Sequence, residues 1–268
     1  MVMAMMGFMH LPVHAQESIS STMSLNKEVK KGRPLMEKYD GGVSFFIRLD
    51  LPVIDKAPKN YRKALTAVRD TVISKAMGLK WQKGDKNYKK LTAQLEKNVL
   101  DHLEEMIESM SDSERESYRP LFKWLIEYSG MLIESPEANP MVSDTPFFQY
   151  FLQKIEFIGN SWYTAQNLVF DSRTGQLLTI EDLLDMTTEH EDAITELMRK
   201  EFQKRHPDGT DYDYQVFPSA SFEVSKEGLN FYIPTGEVVE NQLEYIFLER
   251  SVLMPYVKKG SLLEQYWK

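Results

Sequence analysis

The stretches of this chain with strand character follow one another through turns too short for a crossover, and no other feature of the sequence limits the fold as much. Phe147 to Ile158 and Trp162 to Phe170 are rich in aromatic and aliphatic residues and are separated by a turn at Gly159-Asn160. Phe222 to Val224 and Leu229 to Ile233 flank Ser225-Lys226-Glu227-Gly228 in the same way, and Leu243 to Leu248 adds a further strand. Parallel neighbours need a connection of about a dozen residues or more, so strands joined this closely pair antiparallel. The expectation is an α+β fold: a mainly antiparallel sheet packed against helices, in two subdomains.

The helices come from a change of period. Val43 to Leu51 reads as a strand closed by Pro52, which has no donor for a sheet ladder. Beyond Pro58, Tyr61, Leu65, Val68, Val72 and Met77 recur at helical spacing up to Gly78, a residue suited to a left-handed C-cap. A second helix is predicted from Tyr88 to Met110 on the stripe Leu91, Leu95, Val99, Leu103, Met106 and Met110. Ser111 with Glu114 three residues on is a capping box, opening a third helix that Pro120 kinks before a stretch from Trp124 to Ile133. Thr179 caps a short acidic turn, a helix follows from Glu189 to Arg205, and Ser251 to Val257 forms a terminal helical turn.

With 268 residues, 42% of them hydrophobic, the chain can bury a core without metal or disulfide. Cysteine is absent, which removes disulfides, thiolate catalysis and cysteine-based metal sites. Acidic residues outnumber basic ones 40 to 32, giving a net charge of −8, so duplex nucleic acid is a poor partner. Met1 to Pro12 is an apolar run ending in Val13-His14-Ala15, the form of a secretory h-region and cleavage site. Residues 1–15 are therefore expected to be a signal peptide, truncated at its start because no Lys or Arg precedes the apolar run. Residues 16–41, with Lys30-Lys31-Gly32-Arg33-Pro34, are expected to be a linker, with folded structure beginning after Gly41-Gly42. The protein is expected to be periplasmic or secreted.

Phe170-Asp171-Ser172-Arg173-Thr174-Gly175-Gln176-Leu177-Leu178-Thr179-Ile180-Glu181-Asp182-Leu183-Leu184 resembles the phrase that joins two subdomains in the extracytoplasmic module of RsiV-type anti-sigma factors. The hairpin Phe222 to Val224 and Gly228 to Tyr232, followed by Ser251 to Val257, is similar to the end of that module. On this resemblance, residues 42–175 form a subdomain like the one that accompanies the catalytic domain of PdaC-type deacetylases, with a helical insertion, and residues 176–268 an RsiV-type C-terminal subdomain. The resemblance implies an outward-facing, non-catalytic domain that binds or senses, as RsiV senses lysozyme. The Gly-Gly-Ala-His sequence of that family is replaced here by Gly159-Asn160-Ser161-Trp162.

Candidate sites are few. A basic block runs from Lys56 to Lys97, and the candidate ligand surface within it is Arg62, Lys63, Arg69, Trp81 and Lys83. Its expected partner is an anionic glycan or an envelope protein, with Trp81 placed to stack on a sugar. The rival expectation is a cell-wall hydrolase or deacetylase using Glu156, Asp171 and Asp182 as acid and base. His102, His190 and His206 lie on separate segments, and Asp208, Asp211 and Asp213 lack the closing glutamate of a calcium loop. Nucleophile-elbow and nucleotide-binding motifs are missing as well, and the sequence implies no cofactor or metal.

Overall fold

The computed structural model describes residues 20–29, 34–78, 88–158, 160–205, 207, 221–233 and 244–268. Strands β1 (Ser20–Val29), β2 (Gly42–Pro52), β3 (Lys123–Leu132), β4 (Phe147–Ile158), β5 (Asn160–Asp171) and β6 (Leu177–Leu178) form one sheet in that order. Every pairing is antiparallel except β2 with β3. That exception follows from chain length, since the connection from Pro52 to Lys123 is long enough for a crossover. It carries α2 (Arg62–Met77), α3 (Tyr88–Ser109) and α4 (Asp112–Tyr118), after α1 (Pro34–Lys38) ahead of β2. The C-terminal part builds a second antiparallel sheet from β7 (Ser221–Val224), β8 (Gly228–Ile233) and β9 (Glu244–Glu249). With it go α5 (Ile180–Leu183), α6 (Thr188–Arg205), α7 (Arg250–Leu253) and α8 (Leu262–Trp267).

Two expectations need correction. The stretch expected as a linker, residues 16–41, carries β1 and α1, and β1 pairs with the whole length of β2 from Val29 opposite Val43 to Ser20 opposite Pro52. The helical stretch expected from Trp124 is strand β3. Its buried residues Trp124, Ile126, Tyr128 and Leu132 alternate with more exposed ones. Trp124, Tyr128 and Leu132 are four apart, a spacing that places side chains on one face of a helix and also of a strand; Ile126 between them is what only the two-residue period explains. Pro120 sits in a 3-10 turn, Arg119–Phe122, that ends α4 rather than kinking it.

The two lobes meet on β4 and β5, whose alternating side chains feed two separate cores. Phe148, Tyr150, Leu152, Leu168 and Phe170 pack into the first core with Phe45, Ile47, Leu65, Val68 and Ile73. Phe147 and Val169 point the other way, into a second core with Ile194, Met198, Phe222, Phe231, Leu248 and Trp267. Both faces of the sheet are thus covered at the Phe147 end. The buried side chain of Gln149, on the same face as Phe147, accepts from Val224 N–H and donates to Val224 O, both at 2.8 Å, and so pins β4 to β7.

Candidate ligand-binding groove

The predicted site residues do not assemble as expected. Arg62 is tied to the loop before α2, its guanidinium donating to Ala57 O at 2.8 Å and Asp55 O at 2.9 Å. Arg69 is only 7% exposed and pairs with Asp70 at 2.7 Å. It falls between Leu65 and Ile73 on the buried stripe of α2, where the long aliphatic stem packs and the charge needs a local partner. Lys63 is exposed, and Trp81 and Lys83 lie outside the described residues. Of the three described residues, Arg69 is withdrawn into the core and Arg62 is tied to its own loop, so α2 does not offer all three as a free basic surface.

Of the three carboxylates of the enzyme reading, Asp171 and Asp182 are engaged in local turns and Glu156 lies far from Asp171. Asp171 Oδ1 accepts the Arg173 N–H at 2.7 Å and shapes the turn, while Asp182 Oδ2 accepts the Thr179 N–H at 2.8 Å and caps α5. Glu156 stands opposite Trp162 and Asp171 opposite Phe147, nine positions away along β4. At about 3.3 Å per residue their backbones are roughly 30 Å apart, far beyond the separation of an acid–base pair. Asp171→Asn, which keeps the Oδ1 acceptor, is expected to leave stability within about 0.5 kcal/mol of wild type. Asp171→Ala is expected to lose about 1 kcal/mol, the worth of one local hydrogen bond. Urea denaturation of the two variants measures the difference, and an equal loss in both would assign Asp171 a role through its charge.

Histidines do no better as ligands: His190 Nδ1 lies 2.8 Å from Asp185 O, with its ring edge-on to Tyr256, and His206 is outside the described residues. The acidic loop of Asp208, Asp211 and Asp213 is likewise outside them. Among the described residues no three His, Asp or Glu side chains come together as metal ligands, and no helix is long and apolar enough to cross a membrane.

What the structure does bring together is a groove where the two cores adjoin. The segment Val142–Pro146 forms its floor, fixed from below: Thr145 Oγ1 donates to Glu137 O at 3.1 Å, and Asn139 Oδ1 accepts from Met141 N–H at 2.9 Å. On one side lies a cavity of about 480 Å³ lined by Asn60, Tyr61 and Ser172; on the other, one of about 640 Å³ lined by Lys226, Gln265 and Tyr266. Asp144, Thr145, Pro146 and Arg173 line both, so the two cavities are halves of one depression.

Each half holds a tyrosine set by its own core. The Tyr61 ring stands edge-on to Phe148 at 5.9 Å, and the Tyr266 ring edge-on to Phe147 at 5.5 Å. Successive residues of one strand point to opposite faces, so this single dipeptide positions one aromatic ring in each half. Burial raises the pKa of the Tyr266 phenol, with Glu137 and Glu227 nearby adding to the effect. The phenol is therefore neutral at physiological pH, with its oxygen buried while the residue lines the groove wall.

Arg173 occupies the centre on a rigid mount. Ser172 N–H donates to Pro146 O at 2.9 Å, and Gly175 N–H to Asp171 O at 2.7 Å, so the turn is fastened to the groove floor. Lys226 stands on the β7–β8 turn, held by Ser225 and Gly228, with Trp267 Nε1 donating to Ser225 O at 2.8 Å. Among the described residues neither cation is ion-paired, and both are exposed. The site was half legible in the sequence: the Asp171–Gly175 turn was, but nothing in the linear order joins Tyr61, Arg173 and Tyr266.

With this geometry in hand, the comparisons concern the fold. A DUF3298 family member from Bacteroides fragilis superimposes with a TM-score of 0.67 at 15% identity, over 92% of this chain and 97% of that one. A DUF3298 family protein from Pseudomonas aeruginosa gives 0.54 at 12% identity, over 91% and 96%. The chain shares the DUF3298 fold. No protein-family model matches the sequence, and no curated protein does. Similarity at this identity shows the architecture alone.

Proposed function

We propose that this protein is an exported, non-catalytic binding module of the bacterial cell envelope, and that its ligand, an envelope protein or a cell-wall glycan, is held in the groove between the lobes. The observation that carries the reading is the pair of cations, Arg173 and Lys226, which have no ion-pair partner among the described residues and are mounted on fixed turns in an open depression with a tyrosine in each half. Preorganised groups of this kind bind without paying again for their own ordering. Asp144 is the carboxylate that lines both halves of the groove among the described residues. The resemblance of Phe170 to Leu184 to the RsiV-type module supports the same reading, as does the apolar leader of residues 1–15.

The test is capture from envelope extract with the chain lacking residues 1–15, alongside the double variant Arg173→Glu, Lys226→Glu. A ligand retained by the wild type and lost by the variant, with both proteins melting alike, is the expected result. Undiminished capture by the double variant would move the site elsewhere. Recovery of the natural protein in the cytosol with residue 1 intact would remove the export reading.

A further inference from the structure

The groove sets cations among neutral polar groups, and that combination defines a chemical class of ligand. At the centre Arg173 presents a guanidinium to both cavities, a planar fork matched to a carboxylate. Toward Tyr266 the lining adds Lys226, a second cation, and the amide of Gln265. Toward Tyr61 the lining is neutral apart from the shared Asp144: an amide from Asn60, a hydroxyl from Ser172 and the Tyr61 ring. Hydroxyls, amides and aromatic rings beside these two cations suit a polar ligand of ring size that carries an acid. Each half, at about 480 and 640 Å³, falls within the range of small-ligand sites.

Resting on the groove reading above, we infer that the ligand is a saccharide bearing a carboxylate, which Arg173 grips while the neighbouring sugar hydroxyls face the side chains of Asn60, Ser172 and Gln265. Arg173 contributes no side-chain hydrogen bond to the fold among the described residues, so its replacement changes the ligand contact and leaves the turn, which is held by backbone groups and Asp171.

The probes are two disaccharides that differ by a lactyl carboxylate, N-acetylglucosamine–N-acetylmuramic acid and N,N′-diacetylchitobiose, titrated calorimetrically into the chain lacking residues 1–15. The acidic disaccharide is expected to bind about tenfold more tightly, the effect of one charge-assisted hydrogen bond. Arg173→Ala should erase that difference, and Arg173→Lys should restore only part of it, since an ammonium is a point charge without the fork. Equal binding of both sugars would overturn the carboxylate assignment. Binding of neither sugar, with envelope capture still dependent on Arg173, would overturn the saccharide and leave the groove as a protein-binding site. Loss of both would overturn this inference and the functional reading together.

Discussion

Gly175→Ala is expected to cost about 3 kcal/mol of folding stability, the sum of a left-handed backbone penalty of about 1–2 kcal/mol and a steric overlap of similar size. Gly175 has φ +74°, and a methyl group there would lie 2.3 Å from Ala64 O and 2.8 Å from Ala67 Cβ. The obstacle is the backbone of α2, which cannot rotate away as a side-chain tip could. Two other glycines separate the contributions. Gly78, the C-cap of α2, has φ +62° with nothing within 4 Å of the added methyl, so Gly78→Ala should lose about 1 kcal/mol from conformation alone. Gly228 carries no such φ, but its methyl would stand 2.1 Å from Leu248 O, so Gly228→Ala reports overlap alone. Denaturant titration of the three variants should rank Gly175 above both. If Gly175→Ala matches Gly78→Ala, the turn is not packed against α2 as described.

The same contact explains why the Asp171–Gly175 turn reads so clearly in the sequence. The turn meets three demands at once: an Asp side chain to accept the Arg173 N–H, a glycine to take the left-handed conformation, and no Cβ to obstruct α2. Local chemistry of that kind is visible in linear order. The strands β2, β4, β5, β7, β8 and β9 were legible for a related reason, since turn residues and β-branched or aromatic runs are local signals. β1 was not, because an edge strand is fixed by its partner β2 and its own Ser20–Val29 sequence is mostly polar. Arg69 misled in the opposite way: as a charge it suggests surface, while its place between Leu65 and Ile73 on the core stripe decided the outcome. The last helix, α8, carries Leu263 and Trp267 into the second core but offers only two turns of pattern, too few to distinguish from a tail.

Groove residues are illegible for a further reason. Asn60 and Tyr61 precede α2, Arg173 follows β5, and Tyr266 belongs to α8; only the meeting of two cores on adjacent residues of β4 brings them together. Any change that lets the lobes separate should therefore act on ligand binding as well as on stability, which makes a buried residue that joins them the sharpest place to probe the architecture.

That residue is Gln149. Its fully buried amide satisfies both the N–H and the carbonyl of Val224 and also donates to Glu137 O at 3.2 Å, beneath the groove floor. Gln149→Leu fills the space and leaves two backbone groups of β7 without partners. At about 1–3 kcal/mol for each orphaned group, offset by the gain from a more apolar side chain, the expected loss is about 3 kcal/mol. Because the bond spans the lobes, the loss should also show as two separated unfolding transitions in place of one, seen by tyrosine and tryptophan fluorescence against far-UV circular dichroism. Gln149→Glu gives a sharper test with a defined sign. One carboxylate oxygen would face the Val224 carbonyl in a buried site, and both effects raise the folded-state pKa of the new glutamate above its unfolded value. Stability is then fully present below the unfolded pKa, where the protonated acid can donate to Val224 O, and is lost as pH rises through the folded pKa. The variant should approach wild type at roughly pH 4 and fall well below it at roughly pH 7, a trend opposite to acid denaturation. A pH-independent deficit would mean that the side chain at 149 reaches water, and that β4 and β7 are not joined through a dry contact.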